Sequence, residues 1–153
     1  MCNGILAGLV AITAPCNNVT DWAAFIIGLI AALVYIGSSK LLRILKIDDA
    51  IGAFPVHGCC GVWGILATGL FDRDVGGFYN PTGPNIFGVQ CYGILVIILW
   101  TCLLSFIFLG VAKLLGILRI PEEVEEEGID HAYHNEPAEE FGSGGCLATV
   151  CKY

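Results

Sequence analysis

His57 is an imidazole set inside a long apolar stretch, 51–71. An ionisable side chain at membrane depth is expensive, and it usually faces a cavity or a partner. Two chemistries fit. A neutral imidazole can hydrogen-bond a neighbouring helix and act as structural glue. It can equally line a pore and handle a proton, because its unperturbed pKa of about 6.5 lies close to neutrality. The isolated residue leaves both open.

The residues around His57 narrow its setting. The same stretch holds Gly52, Gly58, Gly61, Gly64 and Gly69, with Ala53, Ala67 and Thr68. Glycine costs about 1 kcal/mol relative to alanine inside a helix. Small residues repay that cost in lipid by letting helix backbones approach closely. Gly58, Gly61 and Gly64 are therefore packing candidates, and the segment is expected among other helices. Helical spacing puts Ala53, Phe54, Cys60, Gly61, Gly64 and Thr68 on or near the face of His57. Pro55 removes a backbone donor and frees a carbonyl. It is read as a tolerated kink, with a shaped pore as the alternative. Asp48 and Asp49 stand before the segment, where acids cap a helix and favour its positive end. Trp22, Trp63 and Trp100 are read as packing or interfacial anchors.

These residues need membrane helices to hold them. Of the 153 residues, 56% are hydrophobic and only 14% charged, against about 25% charged in a soluble domain. So little charge cannot cover a water-facing surface. Four apolar segments can be marked, at 4–14, 22–42, 51–71 and 90–118. About 20 helical residues cross a bilayer core. The last three are long enough, and 4–14 is too short to cross alone. The runs are continuous rather than alternating, and lipid-facing backbone must satisfy its own hydrogen bonds, so strands are excluded. The expected fold is an all-α membrane protein with three full transmembrane helices and a partial one. Residues 1–120 form the membrane region, and 121–153 an acidic tail that carries most of the net charge of −7.

Positive residues near helix ends stay in the cytoplasm. Lys40, Arg43 and Lys46 follow the second segment, and Lys113 and Arg119 flank the end of the fourth. The 43–50 linker and the C-terminus are thus expected inside, with the 16–21 turn and the 72–89 loop outside. Thr20 or Asp21 is placed to cap the second helix. Asn18-Val19-Thr20 is a formal glycosylation sequon, too close to the membrane to be used. Of the eight cysteines, Cys59, Cys60 and Cys102 lie in apolar runs and behave as small hydrophobes. Cys16 and Cys91 are the one pair whose positions could suit a disulfide.

Ile47-Asp48-Asp49, followed by Gly52-Ala53-Phe54-Pro55-Val56-His57-Gly58-Cys59-Cys60-Gly61, resembles the penultimate core helix of ammonium transporters of the Amt/Rh family. Residues 3–14 resemble the end of that family's eighth helix. Pro121-Glu122-Glu123 and Glu127-Gly128-Ile129-Asp130 resemble its cytoplasmic tail motif. The resemblance implies a fragment of the eleven-helix ammonium transporter fold, from the end of helix 8 to helix 11. It implies His57 as the second pore histidine, with ammonium or ammonia as substrate. It further implies a homotrimer in the plasma membrane, a PII-type regulatory protein as a partner, and Gly128 and Asp130 as regulators in an ordered tail, 121–137. The first pore histidine, the outer aromatic recruitment site and the phenylalanine gate belong to other parts of the family fold. The chain alone is therefore expected not to conduct. The alternative is a truncated subunit that modulates or assembles with full-length transporters. No nucleophile–base set, metal cluster or phosphate loop is visible, so an enzyme, a metal site and a cofactor are not expected. The absence of a basic patch speaks against nucleic acid.

Overall fold

The computed structural model describes residues 2–81, 86–120 and 124. Helices α1 (Cys2–Thr13), α2 (Asp21–Ile44), α3 (Cys60–Phe71) and α4 (Ile86–Leu114) follow in order, with a π-turn, Phe54–Cys59, running into α3. No strand occurs among the described residues. Asp21–Ile44, Phe54–Phe71 and Ile86–Leu114 are each long and apolar enough to cross a membrane. The 12 residues of α1 rise only about 18 Å and cannot do so alone.

The chain divides into two compact units, Met1–Thr101 and Cys102–Tyr153. In the first, α1, α2, the π-turn and α3 pack together. Their seam is built mostly from small side chains around Ile27. Ala7 and Ala11 of α1, Ala23, Ile27 and Ala31 of α2, and Cys60 and Ala67 of α3 are fully buried. The α2 residues recur every four positions, so one stripe of that helix meets its neighbours. Between helices in lipid there is little hydrophobic force to gain, and close van der Waals contact takes its place. Polar bonds cross the same seam. The Trp63 indole donates to the Ile27 carbonyl at 3.0 Å, and the Cys60 thiol to the Ala31 carbonyl at 3.5 Å.

Helix ends follow their residues. Beyond α2, Lys46 takes a left-handed φ of 55°. Its N–H donates to Arg43 and that of Ile47 to Leu42, at 3.1 and 3.0 Å, which satisfies two orphan carbonyls. Beyond α4, Gly116 and Ile117 repeat the pattern onto Lys113 and Ala112. This ends α4 at Leu114 rather than at the expected 118, and its start at Ile86 precedes the expected 90. Thr20 stands at the N-cap of α2, but its side chain makes no cap bond. Its hydroxyl instead lies 3.2 Å from the Tyr79 hydroxyl.

The turn after α1 and the loop after α3 are bonded together. Asn18 donates through Nδ2 to Asp72 Oδ1 at 3.0 Å and to Asp74 Oδ2 at 2.8 Å. Its carbonyl accepts from Arg73 N–H at 3.0 Å. Asp72, almost wholly buried, also accepts from the N–H groups of Asp74 and Val75. The sequon nitrogen is thus committed to two carboxylates. Trp22 meets Phe71 edge-on at 6.0 Å at the same end of the bundle, and Phe71 meets Phe78 at 5.1 Å. Cys16 and Cys91 are both free thiols.

Candidate functional site

The segment carrying His57 is not a plain α-helix. Helical geometry begins at Ala53, two residues later than the expected 51, and Phe54–Cys59 is wound as a π-turn. The Cys60 N–H reaches back to the Pro55 carbonyl five residues earlier, as well as to that of His57. A π-turn accommodates an extra residue and is frequent at functional sites. Pro55 lies in the first turn, where a proline displaces no helical hydrogen bond. It therefore does not act as the mid-helix kink expected from its spacing.

The start of this segment is fully bonded. The Asp49 carboxylate accepts from the N–H groups of Ala53 and Phe54, both at 2.9 Å. Pro55 has no N–H to satisfy, and Val56 N–H donates to Gly52 at 3.2 Å. Asp48 makes no corresponding bond. It is exposed and helps line a groove of about 410 Å³ with Leu42, Ile47, Asp49, Ala53 and Phe54. The two acids thus differ: Asp49 holds the helix start and Asp48 faces outward.

The chain reaches this helix through a sharp turn. Gly52 has φ 72°, a conformation that side chains with a Cβ rarely adopt. The Ile51 carbonyl, just before it, accepts from Asn3 Nδ2 of α1 at 3.0 Å. Sequence reasoning gave Asn3 no role beyond membership of a motif. Gly52 ahead of the small, Pro-containing start of the helix was the available signal.

His57 is exposed on the outer side of the π-turn, while Val56 beside it is 2% exposed. The exposure of His57 follows from the winding. Cys60 and Gly64, expected near the His57 face, are buried on α2 and α1 instead. The three glycines divide in the same way. A Cβ at Gly64 would lie 2.6 Å from the Ala11 carbonyl oxygen, so only glycine permits that contact. A Cβ at Gly61 would make an ordinary contact with Val10 at 3.9 Å. At Gly58 it would crowd the Phe54 ring of the same turn at 3.1 Å. Gly128 and Asp130 lie outside the described residues.

Chemically, this arrangement presents a titratable ring on the open side of an apolar span, with its own backbone satisfied. No group of three or more His, Cys, Asp or Glu side chains able to hold a metal ion occurs among the described residues.

Comparison with known proteins adds an independent line. The model of the Ammonium Transporter Family matches residues 1–139. Ammonium transporter 1 member 1 of Oryza sativa subsp. japonica is 39% identical over 168 residues, covering 96% of this chain and 34% of its own length. Ammonium transporter 1 member 3 of Solanum lycopersicum is 38% identical over 150 residues, covering 88% of this chain and 33% of its own length. A Synechocystis sp. relative, also given an ammonium transporter name, is 41% identical over 134 residues, covering 88% of this chain and 28% of its own length. The chain spans about a third of the length of the curated relatives it matches.

Proposed function

The chain belongs to the ammonium transporter family and is a multi-pass membrane protein, and from this premise we propose that it serves ammonium or ammonia transport with His57 lining the conduit. The observation that carries the reading is the exposed imidazole on a π-turn within an apolar span. A charged ammonium ion pays heavily to enter a narrow apolar passage, whereas neutral ammonia does not. A neutral imidazole can donate one hydrogen bond and accept another. It can therefore guide a small neutral solute without adding a fixed charge.

The second reading is a subunit that does not conduct alone and assembles with, or modulates, full-length transporters. It is favoured by the same exposure of His57. The family resemblance implies two inverted halves with the substrate site between them, and the exposed imidazole lies on one unit only. Both readings share one topology: a cytoplasmic C-terminus, supported by Lys40, Arg43 and Lys46 after α2, and residence in the plasma membrane. A trimer, a PII-type partner at the cytoplasmic face and a regulatory tail at Gly128 and Asp130 complete the proposal and rest on the family.

Methylammonium uptake in cells without transporters of their own separates the readings. Uptake by the chain alone that is lost in His57→Ala supports conduction. Uptake seen only on co-expression with a full-length relative, and altered by His57→Ala, supports the assembling subunit. Uptake unchanged by His57→Ala in both settings overturns the role of His57.

A further inference from the structure

A π-turn is less favourable than the α-helix it replaces, and it persists only where its surroundings hold it. The turn that carries His57 is held at both ends. At its C-terminal end, Cys60 is fully buried and bonded to the Ala31 carbonyl of α2. At its N-terminal end, Asp49 holds the first N–H groups from within the same segment. Other helices hold that end too: Pro55 and Val56 are buried in the packing, and Asn3 of α1 is hydrogen-bonded to Ile51 O at 3.0 Å. Gly52 follows directly, with φ 72°, and a Cβ there would come within 2.9 Å of Asn3 Nδ2. The left-handed turn and the side chain of α1 therefore fit as one unit.

We propose that Asn3 is a positioning residue for His57: by clasping the Ile51 carbonyl it fixes the turn that keeps Phe54–Cys59 in π-register. Without the clasp, the extra residue can be expelled into the 49–52 turn. The segment then rewinds as α-helix while Cys60 stays anchored. Removing one residue turns His57 by about 100° around the helix axis. The imidazole leaves its open side, and a neighbour takes its place. This deepens the pore reading of His57 and depends on it for functional meaning, but the geometry is tested without transport.

The test is site-resolved chemical modification of the full chain in detergent or bilayers, read by mass spectrometry. Diethylpyrocarbonate reports on His57, and a maleimide reports on Cys60. In Asn3→Leu, and in Asn3→Asp, which keeps the shape but loses the donor, the equilibrium between π-wound and rewound turn shifts by about five-fold, the factor set by one net hydrogen bond, and the His57 rate falls below that of the parent chain. Cys60 stays unreactive in both variants. Gly52→Ala also lowers the His57 rate, because a Cβ there meets Asn3 Nδ2 at 2.9 Å and strains the left-handed backbone. An unchanged His57 rate overturns the proposal. So does Cys60 becoming reactive in both Asn3 variants, which marks general loosening or failed folding. If the reactivity changes appear but methylammonium uptake never depends on His57, the clasp stands and the pore reading falls.

Discussion

At the scale of the residue, geometry separates positions that composition makes look alike. Gly58, Gly61 and Gly64 share a spacing on one helix, yet only Gly64 meets main chain, 2.6 Å from the Ala11 carbonyl oxygen to a built Cβ. A branched side chain there must push α1 away from α3. Gly64→Val is expected to destabilise by about 1–3 kcal/mol, the usual range for overpacking. Gly61→Ala, with its nearest neighbour at 3.9 Å, should cost much less. Thermal unfolding of the two purified variants in one detergent checks this, and equal losses would contradict it. Asp48 and Asp49 divide similarly. Only a carboxylate at 49 reaches two free N–H groups, because the chain curls back at Gly52 before the helix begins.

At the scale of the element, the π-turn and the helix ends set what each segment presents. Pro55 and Gly52 are usually read as weak points in a helix. Here they lie at its start, where a left-handed glycine turns the chain and a proline lacks a donor that would have no partner. The end of α2 is less well matched. Lys46 holds a left-handed φ of 55° in the position that glycine fills after α4. Lys46→Gly should therefore stabilise the chain by about 1 kcal/mol, from relief of the Cβ clash. A rise in the unfolding midpoint with no change in helical circular dichroism is the expected result. A fall would mean that the lysine charge at the membrane face outweighs the backbone term.

At the scale of the whole molecule, the bonded loops define one end of the first unit and the clasp of Asn3 on Ile51 the other. Asn18, Asp72 and Asp74 hold the turn after α1 to the loop after α3. Both connections must then lie on the same side of any membrane the helices cross. In the proposed topology, with the basic residues after α2 drawn to the cytoplasm, this end is expected to face outward. A membrane-impermeant maleimide should label exposed Cys16 in intact cells, and Cys146 and Cys151 only after permeabilisation. The reverse order would invert the topology.

The sequence by itself determined that these helices belong in a membrane, because 56% apolar and 14% charged residues cannot make a water-facing surface. It also determined the family and singled out His57, since one imidazole in an apolar run is conspicuous in any arrangement. Segment ends were legible to within a few residues, and Gly116 could have marked the end of α4. Only tertiary structure decided which side of the turn His57 occupies. Helical spacing assumes about 3.6 residues per turn, and a π-turn breaks that count between His57 and Cys60. The bonds from Asn3 to Ile51 and from Asn18 to Asp72 join residues 48 and 54 positions apart. No local pattern encodes them, because they exist only once the helices have packed.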